Sequence, residues 1–201
     1  MHMDRRQFVK NLGLGTASLS MGSLVTASSC APSGDSSLKQ NVKEGEDGQF
    51  LFIGDDIAIA QTEYGKVQGY LLNHVYTFLG VPYGADTSGK NRFMPPQKPE
   101  PWTDVRPAVF YGNTAPQRME NRWPNNYGTF ADHWNYWDVS EDCLYLNVWT
   151  PGIADGKKRP VLVWLHGGGF TNGSGIEQDG YHGENISREG NIVFCSINHR
   201  L

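Results

Sequence analysis

The sequence predicts an α/β protein, a small antiparallel meander followed by the first strands of a mainly parallel central sheet. Three observations carry that expectation. Val161-Leu162-Val163-Trp164-Leu165 is an unbroken apolar run with valine at its first and third positions, the pattern of a strand buried on both faces. Three glycines, Gly167 to Gly169, follow at once, placing flexible backbone past the C-terminal end of that strand. In open α/β sheets ligands bind at that place. The order strand, loop, short helix over residues 180–188 and strand over residues 192–197 is the alternation that builds parallel sheets.

The totals bound the problem. A length of 201 residues is enough for one domain and a tail. Apolar residues at 38%, with 12% aromatic, support a globular core. The net charge is −4. The first 29 residues hold Arg5, Arg6 and Lys10 against Asp4, so the remainder carries 14 basic and 20 acidic side chains, a net charge of −6. A mildly acidic body without a Lys/Arg cluster argues against a nucleic-acid partner. No apolar run approaches the length needed to span a bilayer. Cys30, Cys143 and Cys195 stand at neither zinc-finger nor CxxC spacing, so neither a metal nor a cofactor is expected.

Residues 1–30 read as an export signal. Asp4-Arg5-Arg6-Gln7-Phe8-Val9-Lys10 precedes a glycine- and serine-diluted apolar segment, a positive n-region and a weak h-region. The arginine pair followed by Phe and Lys looks like a twin-arginine signal, with Asp4 where Ser or Thr is more usual. An ordinary secretory leader is the alternative. Cys30 follows Ala27-Ser28-Ser29, small residues suited to cleavage before a lipidated cysteine, although Ala27 replaces the usual Leu. Lipidated Cys30 would tether the protein to a membrane. Residues 31–55 are expected to be a flexible tether, because 31–49 is rich in Ser, Gly, Lys and Glu and almost free of apolar residues. The expected location is outside the cytoplasm, periplasmic or lipid-anchored at a bacterial cell envelope.

The body of the domain, residues 56–201, begins with apolar runs at 57–60, 67–72 and 75–79. Tight turns separate them, as in a three-stranded antiparallel meander. Residues 92–102 are proline-rich and have little freedom to be helical. Residues 111–140 show neither helical nor strand period, yet hold Tyr111, Trp123, Tyr127, Phe130, Trp134, Tyr136 and Trp137. That aromatic density argues against disorder; the rings either pack the loop onto the body or line a pocket mouth. Residues 144–149 form a strand, and 155–159 a charged turn into the central one.

These residues add up to a resemblance. Tyr64-Gly65, Gly69, the run from Phe78 to Tyr83, Arg92-Phe93, Pro101-Trp102, Glu141-Asp142-Cys143-Leu144-Tyr145-Leu146-Asn147, His166-Gly167-Gly168-Gly169-Phe170 and Asn198-His199-Arg200-Leu201 occur in that order. Together they resemble the type-B carboxylesterases, the family of cholinesterases and para-nitrobenzyl esterases. The stretches at 141–147 and 166–170 are its specific signatures. The resemblance implies an α/β-hydrolase fold, of which residues 57–201 match roughly the first third. It implies a carboxylic-ester hydrolase acting on a small-molecule ester through an acyl-serine. An HGGG run after a strand is the oxyanion element of such enzymes. Gly168 and Gly169 would therefore donate two N–H groups to the oxyanion, Phe170 would sit by the acyl side of the pocket, and His166 would brace the glycines. Glu141 would pair with Arg92 in a structural salt bridge.

Two departures stand out. Many members join the cysteine of the 141–147 signature to one just before Pro-Gln, and here that place holds Ala115, so Cys143 is expected to lack a partner. Cys195 is expected to be a core thiol. The family usually has Tyr where this chain has His199, which is expected to be structural. The nucleophile of this chemistry sits on a G-x-S-x-G elbow, and no serine in the chain has glycine at both flanking second positions. The fold orders its triad Ser, acid, His, and the sequence reaches Leu201 before the elbow. The expectation is an N-terminal fragment, inactive by itself, with an uncovered apolar sheet edge. The competing expectations are a non-catalytic cholinesterase-like recognition domain and a secreted module binding carbohydrate or peptide through its aromatic loop.

Overall fold

Short apolar runs separated by turn residues form two sheets in the computed structural model, which describes residues 50–118 and 138–201, all within one compact unit, Val42–Leu201. The strands are β1 (Leu51–Phe52), β2 (Ile59–Gln61), β3 (Lys66–Gln68), β4 (Tyr70–Leu72), β5 (Val75–Pro82), β6 (Arg106–Pro107), β7 (Tyr145–Thr150), β8 (Val161–Leu165) and β9 (Val193–Ile197). A helix, α1 (Glu184–Gly190), lies between β8 and β9. The larger sheet runs β1-β4-β5-β7-β9-β8 and the smaller β2-β3-β6. The larger sheet is antiparallel from β1 to β9 and becomes parallel at β8–β9. The expected alternation of strand, short helix and strand thus yields one parallel pair at the end of an antiparallel array.

The meander is not one sheet. Its second run splits at Gly69, whose amide donates to the Ala58 carbonyl at 2.9 Å, and where a Cβ would strike the Thr77 carbonyl. The chain therefore steps from the small sheet to the large one, leaving β3 beside β2 and β4 beside β5. The expected tether, 31–55, overlaps a strand near its C-terminal end. Leu51 and Phe52 pair with Leu72 and Leu71, and Phe50 N–H donates to Asn73 Oδ1 at 3.1 Å. The proline-rich crossing 92–102 holds neither strand nor helix, as expected.

Val75, Leu79, Trp149 and Phe194 form one buried cluster where β5, β7 and β9 meet. Ala58, Val67, Phe78, Val81 and Ala108 form another between the two sheets. Trp149 is the largest fully buried side chain among the described residues. Helix α1 packs on β5, β7 and β9. It ends at Asn191, whose left-handed backbone (φ 46°) closes the turn with an N–H bond to the Ser187 carbonyl.

Strand β8 departs from its expected burial. Its run of five apolar residues predicts cover on both faces, but β8 is the sheet's edge and its residues are 37–65% exposed. Among the described residues β9 is its one strand partner, and a ring contact comes to Trp164 from Tyr181 at 5.0 Å. An uncharged, apolar, exposed edge is a template for association. The purified chain is therefore expected to self-associate as its concentration rises. Val163→Lys, which puts a charge on that edge, should raise the concentration at which light scattering detects particles by roughly an order of magnitude. Equal scattering from both proteins would show that another surface is responsible.

Candidate active site

The glycine turn begins where β8 ends. His166 is buried at 8% exposure, while Gly167 to Phe170 are exposed. Three consecutive residues have positive φ: Gly168 at 118°, Gly169 at 58° and Phe170 at 57°. The Gly168 carbonyl accepts the amides of Thr171 (3.0 Å) and Asn172 (3.3 Å), folding the chain back tightly. A Cβ on Gly168 would collide with the Asn172 carbonyl, whereas Gly167 and Gly169 face open space. The three glycines are alike in sequence and different in what they permit. Among the described residues the N–H groups of Gly168 and Gly169 donate to no acceptor, and both are exposed. Consecutive free amides on a left-handed turn can hydrogen-bond an anionic oxygen.

The turn is braced from behind. His166 Nδ1 lies 2.8 Å from the Gly167 carbonyl. A carbonyl only accepts, so that nitrogen carries the proton. The His166 ring stacks on His199, centroids 4.3 Å apart and planes 24° apart, and Phe170 meets His199 edge-on at 5.9 Å. Burial depresses the His199 pKa below the usual histidine value, and His166 beside it acts in the same direction. Further along, the Gln117 side chain clasps Gly173 twice: Nε2 donates to its carbonyl at 3.0 Å and its amide donates to Oε1 at 2.8 Å. Asn198, 2% exposed, accepts the Gly175 amide at 2.8 Å and donates to the Asn113 carbonyl at 2.9 Å. Sequence reasoning missed Gln117 and Asn198 as supports. Asn198 opens the 198–201 stretch and Gln117 lies in the aperiodic 111–140 segment, but which backbone they reach depends on loops meeting across the fold.

The structure brings His166, Gly168, Gly169 and Phe170 together, with Phe170 78% exposed. It places Arg92 and Glu141 elsewhere. They form the expected pair, Nε to Oε1 at 2.6 Å and Nη2 to Oε2 at 2.7 Å, and the carboxylate raises the pKa of the guanidinium. That pair borders a cavity of about 520 Å³, shared with Phe93, Cys143 and Arg200, and no residue of the glycine turn lines it. Cys143 is free and buried, packed with Ala115 and Leu144. Burial first, then Asp142, pushes its thiol up to about 11. Cys195 is also free and buried, its thiol likewise pushed to about 11 by burial. Both thiols are therefore unreactive near neutral pH. Cys30 and the aromatics from Trp123 to Trp137 lie outside the described residues. Among the described residues no group of three or more His, Cys, Asp or Glu could hold a metal, and no helix is long and apolar enough to cross a membrane.

Comparison with known proteins places the chain among carboxylesterases. A model of the carboxylesterase family matches residues 56–201. Phenmedipham hydrolase of Pseudarthrobacter oxydans is 43% identical over 143 residues, covering 71% of this chain and 28% of that protein. Para-nitrobenzyl esterase of Bacillus subtilis is 38% identical over 146 residues, covering 71% of this chain and 27% of that protein. Among solved structures, an esterase of Clostridium hathewayi that can hydrolyse aliphatic aromatic polyesters superposes with a TM-score of 0.67 at 38% identity, covering 76% of this chain and 29% of that one. The chain thus spans less than a third of the length of these relatives, and its mixed sheet matches the N-terminal part of their α/β-hydrolase fold.

Proposed function

This chain belongs to the carboxylesterase family, and from that premise we propose that it supplies the oxyanion-stabilising part of a serine carboxylesterase acting on a small-molecule carboxylic ester. The observation that carries the proposal is the pair of exposed amides at Gly168 and Gly169, beyond the C-terminal end of β8, which donate to no acceptor among the described residues. In acyl transfer the serine Oγ attacks the ester carbonyl carbon and the carbonyl π electrons move to oxygen. Donors already in place stabilise that charge without reorganising, and removing one typically raises the barrier by about 3 kcal/mol. A general base takes the Oγ proton during attack and returns it to the departing oxygen, so the anion re-forms the carbonyl, releases the alcohol and leaves an acyl-serine that water hydrolyses. Gly168 and Gly169 donate to the anion, a third donor comes from the residue after the nucleophile, and Phe170 borders the acyl group. His166 holds the turn and transfers no proton. Arg92 and Glu141 hold the base of the 92–141 region.

The nucleophile has no candidate within these 201 residues, because no serine stands in a G-x-S-x-G context. The 201-residue polypeptide is accordingly expected to show no serine-inhibitor-sensitive hydrolysis of para-nitrophenyl acetate above a heat-killed control. A longer reading frame that adds a downstream G-x-S-x-G should hydrolyse it. Inhibitor-sensitive turnover by the 201 residues alone would overturn the assignment of roles. A downstream elbow with its serine replaced would turn the reading to a recognition domain. The leader supports export, with Cys30 the site of lipidation. Mass spectrometry of the mature N-terminus tests this: a diacylglycerol adduct on Cys30 is the expected result, and an unmodified N-terminus elsewhere refutes it.

A further inference from the structure

We propose that His199 is a positioning residue of the glycine turn: set between His166 and Phe170, it holds the turn in place only while its own imidazole is neutral. The inference deepens the reading of Gly168 and Gly169 as donors and rests on that reading for its meaning.

Geometry carries it. Phe170 holds a left-handed backbone that a bulky side chain rarely adopts (φ 57°), so contacts from its surroundings must hold it there. The ring that meets Phe170 is His199, which also covers the face of His166. His166 in turn bonds the carbonyl of Gly167, the first residue of the turn. One imidazole therefore touches both ends of the stretch that presents the two amides. It sits just after β9, on a backbone fixed by the Asn198 amide bonding the Tyr145 carbonyl and by Tyr83 Oη donating to the Asn198 carbonyl.

The same geometry makes the arrangement sensitive to acid. His199 Nδ1 is buried and has no hydrogen-bond partner among the described residues. A neutral ring meets this by carrying its proton on the other nitrogen, whereas a protonated ring must bury an N–H with no acceptor. The charge would also lie against the face of a second imidazole. The groups facing His199 are His166 from the end of β8 and the uncharged Phe170 from the turn. Its chain neighbour Arg200 is directed to the Met94 carbonyl. No carboxylate among the described residues offsets a proton there. Free histidine titrates near 6.5 and the folded His199 lower, so the unfolded or opened turn binds the proton more readily. The turn's stability is complete above about pH 6.5 and is lost as pH falls through and below that value. A tyrosine or phenylalanine at this position would have no such dependence.

The test is amide hydrogen exchange on the 201-residue chain at low micromolar concentration, without substrate. The readout is the protection of Thr171, Asn172 and Gly173, whose amides close the turn and its Gln117 clasp. Corrected for the intrinsic pH dependence of exchange, their protection is expected to drop roughly threefold or more between pH 7.5 and pH 5.5, while His199→Phe changes by less than about 1.5-fold. His182, exposed and edge-on to Trp149 and also depressed in pKa, is present in both proteins, so its acid effect cancels in the comparison. His199→Ala should lose turn protection already at pH 7.5, with protection of β7 kept. If His199→Ala disrupts the whole fold, the wild-type against His199→Phe comparison still decides. A pH-independent wild-type turn, or equal pH dependence in His199→Phe, overturns the proposal. Either result leaves the donor role of the glycines untouched, and a failed hydrolysis assay would leave the His199 result standing.

Discussion

Alanine at Gly168 is expected to lower kcat for ester hydrolysis by about 10²–10³-fold in a polypeptide that carries the nucleophile, the magnitude seen when one oxyanion donor is removed. Alanine at Gly167 should leave kcat within about twofold, since Gly167 has no positive φ and a Cβ there meets nothing. The difference follows from space and backbone. At Gly168 the new Cβ would occupy the position of the Asn172 carbonyl, the end of the tight reversal, so the reversal must open and the amides of Gly168 and Gly169 must turn. Gly169→Ala should fall between the two. Its Cβ would point into open space, but a left-handed alanine costs roughly 1–2 kcal/mol. Steady-state kinetics on the three variants gives the ranking. Equal losses at Gly167 and Gly168 would mean that the glycines matter only as flexible chain, and would remove the basis for assigning donors to two of them.

Ala115→Cys is expected to form a disulfide with Cys143 and raise stability by about 3–4 kcal/mol, the chain-entropy value for closing a loop of this size. The two side chains already share one buried cluster with Leu144. The segment it would close contains the aromatic stretch that the sequence leaves without a staple. Thiol titration under denaturing conditions should count two fewer reactive thiols than in the reduced variant. The gain in midpoint denaturant concentration should vanish with reductant. An oxidised variant no more stable than the parent would mean that strain in the bond cancels the entropy gained.

Much of the site was legible because its parts are consecutive in the chain. His166 to Phe170 follow β8 without interruption, so a strand pattern plus three glycines located the turn. The Arg92–Glu141 pair was legible only through resemblance, since nothing across a sequence separation of 49 tells a guanidinium which carboxylate it will meet. Gln117 and Asn198 were not legible as supports, because a side-chain amide bonds whatever backbone the folded loops bring to it. Apolar pattern also misled at β8. It records what a strand is suited to bury, and the burial itself depends on neighbours that need not lie in the same 201 residues. The divided meander shows a third limit. Periodicity marked the second run as one strand, while one glycine with no room for a Cβ handed its halves to different sheets.

The order of strands in the large sheet also sets a timetable for synthesis. β9 lies between β7 and β8 in space but follows both along the chain. A nascent polypeptide emerging N-terminus first can assemble β4, β5 and β7 as they appear. Val161–Leu165 has no docking place until Val193–Ile197 has also left the ribosome. At roughly 5–20 residues per second that leaves an oily segment waiting for a few seconds, long enough for a holdase to capture it. Slowing translation between these two strands should lengthen the wait and increase chaperone occupancy, with no change to any contact in the finished protein.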